Sequence, residues 1–137
     1  MNNRRSFLKR VMAGATFAIL LPFNKTARAG EVKLTGVLIH HVFFWLNEPE
    51  NEAHRIQLLN ALRELLKVKT IRLSHIGLPA GTESRDVVDH SYSVSYMVMF
   101  SNQADQDAYQ VDPIHLRFVE ENQHLWKKVV VYDSVDC

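Results

Sequence analysis

The chain of 137 residues has a single cysteine, Cys137, and it is the last residue. One thiol closes no internal bridge, so the fold must stand without disulfides even in an oxidising compartment. A terminal residue is also commonly mobile, and no role is assigned to this one. Glycine is scarce, with five residues, and none belongs to a phosphate-cradling loop or a dinucleotide fingerprint. No Cys-x-x-Cys or His-x-x-x-His spacing occurs, so no metal-ligand set is expected, and no cofactor is expected either. No serine or cysteine nucleophile stands in a recognisable motif. Internal repeats and low-complexity segments are missing as well.

Basic charge is also lacking where a nucleic-acid partner would need it. The whole chain has a net charge of +1, but six of its 16 Lys+Arg and none of its 15 Asp+Glu lie in residues 1–29. The remainder carries ten basic against 15 acidic side chains, a net charge of −5. That balance favours solubility and provides no footprint for DNA or RNA.

Residues 1–29 read as a leader. Arg4-Arg5-Ser6-Phe7-Leu8-Lys9 is a twin-arginine export signature. Val11 to Phe23 is an apolar run of 13 residues, too short for a stable membrane anchor. Ala27-Arg28-Ala29 provides a small-x-small cleavage pattern. No cysteine follows the run, so lipid attachment there is not expected. The expectation is a twin-arginine-type signal peptide over 1–29 and one domain over 30–137. The protein would be periplasmic or otherwise exported, with no stable membrane span after cleavage.

The domain reads as strand, helix, strand, strand, helix, helix, strand. Val37 to Leu46 is dense in β-branched and aromatic residues and apolar on both faces, which predicts a strand covered on both sides. A helix is predicted from Pro49 to about Lys67, capped by Asn47, with Leu58, Leu62 and Leu65 in its stripe. Thr70 to Leu78 and Ser91 to Phe100 alternate as strands. Asn102 starts a short helix that ends near Val111. Asp112 caps the next helix, with Pro113 at its first position, running to about Trp126. Lys127 to Val135 closes the chain as a strand. This order predicts an α+β, ferredoxin-like sandwich. A domain this small gains from pairing with a copy of itself.

The chemistry-bearing stretch is Tyr109 to Phe118. The residue before a proline is driven out of the helical region, so Asp112-Pro113 sets Tyr109 and His115 at a joint between two helices. His115 is the candidate acid–base residue, since imidazole titrates near neutral pH, and Tyr109 can orient a substrate oxygen. The plainer alternative is a helix corner in which His115 buries its ring against a backbone carbonyl. His41 or His40, together with His75, are further pocket candidates; Tyr96 and Phe118 complete the expected ligand-binding set with His41 and His75.

From about Leu38 to Ser134 the chain resembles the stress-responsive α/β-barrel (Dabb) family. The resemblance lies in the strands His41-Val-Phe-Phe-Trp-Leu46 and Tyr96-Met-Val-Met-Phe100, the segment from Asp107 to Val119, and Val129-Val-Val-Tyr-Asp133. It implies a ferredoxin-like subunit that forms a homodimer, the sheets of two copies facing each other as a barrel. More distantly, the Tyr-x5-His segment is similar to olivetolic acid cyclase-like polyketide cyclases. That likeness implies His115 as base, Tyr109 positioning a carbonyl, and His41 as the strand histidine. Two departures stand out: Val94 replaces a pocket histidine of those cyclases, and Asp112 replaces the histidine before the proline. The reading reached is an exported homodimer that binds a small molecule between sheet and helices. One alternative is a cofactor-independent lyase, cyclase or oxygenase-like enzyme using His115 with Tyr109. The other is a haem or metal binder using His41 or His115.

Overall fold

The computed structural model describes residues 34–137; the leader expected over 1–29 lies outside them. The order is β1 (Leu38–Leu46), α1 (Glu52–Leu65), β2 (Leu73–Gly77), β3 (Val94–Phe100), α2 (Gln103–Gln110), α3 (Pro113–Asn122), a 3-10 turn (Gln123–Leu125) and β4 (Trp126–Val135). The four strands lie in the order β2-β3-β1-β4, and every neighbouring pair is antiparallel. This is the ferredoxin-like α+β sandwich that the element order predicts.

One face of the sheet carries the helices. Strand geometry sends alternate side chains to opposite faces, and every second residue of β1, Leu38, His40, Val42, Phe44 and Leu46, is buried there. From β3, Val94, Tyr96, Val98 and Phe100 join them. Leu58, Leu62 and Leu65 of α1 recur at helical spacing and are wholly covered. Tyr109, Phe118 and Leu125 close the cluster from the second half of the chain.

The element ends differ from the sequence expectation, and side-chain hydrogen bonds explain most of the differences. Helix α1 begins at Glu52 instead of Pro49, because Asn51 rather than Asn47 accepts from the amides of Ala53 and His54. Strand β3 begins at Val94 instead of Ser91. The two serines before it are engaged as acceptors, Ser91 Oγ from Trp45 Nε1 at 2.9 Å and Ser93 Oγ from the Leu46 amide at 3.1 Å. Helix α3 stops at Asn122 and tightens into the 3-10 turn before Trp126. Its last residue folds back, Asn122 Nδ2 donating to the Phe118 carbonyl at 2.9 Å.

The other face of the sheet meets no element among the described residues. Its cross-strand rows are Ser134–Ile39–Met99–Leu73, Tyr132–His41–Met97–His75 and Val130–Phe43–Ser95–Gly77. Leu73 is 49% exposed and Tyr132 64%, although the face is largely apolar. Gly77 leaves room there for the His75 ring: a β-carbon on it would stand 2.7 Å from Cε1 of His75, which would have to turn aside, and 3.0 Å from Ser95 Oγ. At the margin of the sheet, Asp136 accepts from the amides of Gly36 and Val37, tying the two ends of the domain together.

Leu62 and Ile56 lie on the same helix with opposite burial, 0% and 47% exposed. Leu62→Ala is expected to destabilise the domain by about 2–5 kcal/mol through transfer and cavity costs. Ile56→Ala should stay within about 1 kcal/mol. Urea denaturation of both variants checks the difference.

Candidate functional site

The joint between α2 and α3 is built by capping. Asp112 holds an extended backbone and accepts from the Ile114 amide at 2.8 Å, with Pro113 opening α3. Tyr109 is in the last turn of α2 and His115 in the first turn of α3. The break brings their rings to a centroid distance of 4.6 Å. Tyr109 is 1% exposed and also meets the edge of His40 at 5.8 Å. The joint therefore places an aromatic side chain between two imidazoles.

His115 Nδ1 lies 3.1 Å from the Gln110 carbonyl oxygen. A carbonyl only accepts, so this nitrogen donates and Nε2 holds the lone pair. The corner reading and the pocket reading thus coexist: the ring bonds a backbone carbonyl and still lines the cavity. Burial lowers the His115 pKa below the ordinary 6.5, with a smaller push in the same direction from His40. The Gln110 carbonyl and Asp112 act the other way.

His40 is buried in strand β1, and its Nδ1 stands 2.7 Å from Asp133 Oδ1 of β4. The antiparallel register sets the two residues directly opposite each other. Asp133 is half exposed at the edge of the sheet. A carboxylate behind one imidazole nitrogen orients the ring and leaves Nε2 as its other hydrogen-bonding atom, an arrangement suited to a general base or a ligand contact.

Tyr96 completes the polar end from β3. Burial raises the pKa of its phenol well above the usual range, and the neighbouring Tyr109 raises it further. The Tyr109 phenol is pushed up by burial to about 12, with Tyr96 acting the other way through its hydroxyl. Both phenols therefore keep their protons at neutral pH. The Tyr96 hydroxyl is buried without a well-formed hydrogen bond among the described residues.

These groups line a cavity of about 260 Å³ between sheet and helices. Its apolar walls include Val42, Phe44, Phe118, Trp126, Val129 and Val131, and Gln110 and Gln123 add polar contacts. The helices do not reach fully across β4, where Val129 and Val131 remain 43% and 44% exposed. A second, larger hollow of about 470 Å³ runs between α1 and α3. Glu64, Lys67, Arg117 and Glu121 lie along it, and it contains none of the imidazoles or phenols.

Of the residues singled out in the sequence, Tyr96, Tyr109, His115 and Phe118 come together in the smaller cavity. His41 and His75 do not join them. Both lie on the opposite face of the sheet, on either side of Met97. The strand histidine beside Tyr109 is His40, one residue earlier. The parity of β1 was ambiguous because both faces are apolar, though His40 shares its parity with Leu38, Val42 and Leu46. Asp133 had no signal of its own; only the β1–β4 register reveals it. Among the described residues, no three His, Cys, Asp or Glu side chains converge as a metal set.

A scan against protein-family models matches residues 38–136 to the Stress responsive A/B Barrel Domain (Dabb). The chain belongs to this family. Three solved structures share the fold of this chain. A Dabb family protein with a ferredoxin-like fold from Mesorhizobium loti is 21% identical, covering 75% of this chain and 99% of its own, with a TM-score of 0.62. A hydroxynitrile lyase from Passiflora edulis is 19% identical over 76% of this chain and 96% of its own, TM-score 0.63. A dimeric protein of unknown function from Bacteroides fragilis is 17% identical over 76% of this chain and 100% of its own, TM-score 0.58. No curated protein matches the chain.

The site has a pH signature. His115 should titrate below 6.5 in the folded protein, because burial favours its neutral form. A histidine with a depressed folded pKa contributes stability above its unfolded pKa of about 6.5 and loses it as pH falls. Long-range ¹H–¹⁵N NMR across the acid range is expected to show the low titration point and the Nδ1–H tautomer. A ring that titrates at or above the ordinary value contradicts the buried geometry.

Proposed function

We propose that the protein is an exported homodimer that binds a small, largely apolar molecule bearing an oxygen function, in the pocket between sheet and helices. Tyr96 carries this reading. Its hydroxyl is buried beside the cavity without a well-formed bond among the described residues. The neighbouring Tyr109 hydroxyl is near enough to shift the Tyr96 pKa without making a well-formed bond, so a ligand carbonyl or hydroxyl accepting the proton gains up to about 1–3 kcal/mol. The cavity suits such a molecule, with apolar walls and polar groups gathered near Tyr109. Pairing of two copies through the uncovered sheet face would bury its apolar rows, as a two-fold contact does. Similar proteins from Bacteroides fragilis and Thermobifida fusca are described as dimeric.

His115 supports a second reading, cofactor-independent proton transfer. Its Nε2 lone pair is left free by the bond at Nδ1, and burial keeps the ring neutral near pH 7. A neutral imidazole beside a protonated phenol can take a proton from carbon next to a carbonyl while the phenol holds the developing oxyanion. In this reading Tyr109 is that donor, and His40 with Asp133 is a second imidazole at the same cavity. This is the equipment of a lyase, a cyclase or an oxygenase-like enzyme. The hydroxynitrile lyase from Passiflora edulis shares the fold. The haem or metal alternative would use His41 or His115; among the described residues no three His, Cys, Asp or Glu side chains converge as a metal set.

Native mass spectrometry of protein taken from its host's envelope tests the binding reading. Expected is a mass of two chains lacking the leader, with a small molecule retained. Tyr96→Phe should weaken retention about tenfold, the worth of one well-placed hydrogen bond. No retained molecule in the wild type, or equal retention by the variant, sinks the reading. If the retained molecule is a substrate, His115→Ala and Tyr109→Phe should each slow its turnover by about 10²-fold or more; unchanged turnover in both ends the catalytic reading.

Export rests on the twin arginine, the short apolar run and the Ala27-Arg28-Ala29 pattern. Exchanging Arg4 and Arg5 for lysine is expected to keep the protein in the cytoplasm on cell fractionation. Equal recovery from the envelope would refute the export route.

A further inference from the structure

We propose that the two histidines of the uncovered sheet face, His41 and His75, make self-association of this protein pH-sensitive: a dimer at neutral pH and separate chains in mild acid. The inference rests on the reading that two copies pair through this face. In the row Tyr132–His41–Met97–His75, the imidazoles flank a methionine on a face made mostly of apolar side chains. The His41 ring packs on Phe43 at 4.3 Å, and the His75 ring lies over Gly77. Both are thus directed along the sheet within the surface that a second copy would cover.

The charges around them decide the direction. On this face β1 contributes no other ionisable group, β2 contributes only His75, and β3 presents Ser95, Met97 and Met99. Strand β4 adds Tyr132 and the cation Lys128, the latter seated over Trp45 at 4.2 Å. The loop before β3 brings Asp89 near Lys128, at the Trp45 end rather than beside His41. Behind the sheet stands His40, whose carboxylate partner Asp133 projects to the helix side. No strand carboxylate faces His41 or His75. A two-fold contact presents the same face from the partner, whose strands likewise carry no carboxylate on it. Protonated imidazoles buried between the two sheets would meet no strand carboxylate from either copy, and burying an unpaired charge is strongly unfavourable. In the single chain, burial and the neighbouring His75 already lower the His41 pKa.

The sign follows from linkage. Association that favours the neutral ring is fully present above the His41 pKa of the single chain, which lies below the ordinary 6.5, and weakens as pH falls through it. Each histidine that must shed a proton costs about tenfold in affinity per pH unit there. For the two His41 rings of a dimer the loss between about pH 7.5 and about pH 5 is at most about 10³-fold, the figure for rings that keep the ordinary pKa in the separate chain.

Analytical ultracentrifugation of the purified protein at those two pH values, with circular dichroism to follow folding, tests the inference. Expected is a dimer at neutral pH, folded single chains in acid, and a His41→Gln/His75→Gln variant that stays dimeric at both. Equal affinity at the two pH values overturns the pH dependence and leaves the dimer standing. Acid dissociation of the double variant places the sensitivity elsewhere and overturns it too. A single chain at neutral pH removes the dimer reading and this inference together. NMR gives a check that does not depend on the variant folding: His41 should titrate lower in concentrated than in dilute wild-type protein, and equal values overturn the inference.

Discussion

The alternation of strand β1 is the constraint on which the rest of the molecule depends. β1 is one of the two inner strands, bonded to β3 on one side and β4 on the other. Its odd and even residues therefore assign every cross-strand row to the helix face or the bare face. A slip of one residue in such a strand exchanges the two faces completely. Here the alternation separates two adjacent histidines. His40 goes inward to Asp133, Tyr109 and the cavity, and His41 goes outward to Met97 and His75. Neighbours in sequence thus have unrelated surroundings, one with a carboxylate partner and one without.

The second half of the chain converts that face into a site. A continuous helix from Gln103 to Asn122 would place Tyr109 and His115 by helical rotation alone. The Asp112-Pro113 break instead aims both at the same part of the sheet, and the Gln110 carbonyl freed near the break takes up His115 Nδ1. One interruption therefore sets the position of the imidazole and chooses its tautomer. The edge strand β4 contributes the carboxylate and two half-exposed valines, so the cavity is walled more thinly there than beneath the helices.

Much of the fold was legible in the residues because local signals agreed with each other. Asn102, Asp112 and Pro113 marked helix starts, leucines at helical spacing marked α1, and alternation marked β3 as a strand, although Ser95 and Met99 on its outward side are buried rather than half wet. The misplaced ends came from competing side chains of the same type: Asn47 and Asn51 both suit a cap, and Ser91 and Ser93 look like strand until their hydroxyls are seen to accept from β1. The site was legible where it was local in sequence, at Tyr109 and His115. It was not legible where it depended on register. An apolar strand conceals its own parity, which turned attention to His41 instead of His40, and Asp133 has meaning only once β4 lies opposite β1.

Gly77 extends this logic to the bare face. The absence of a side chain at 77 is the space that the ring of His75 occupies. The two positions are therefore coupled: a side chain gained at 77 would turn the exposed ring of His75 aside and crowd Ser95 Oγ.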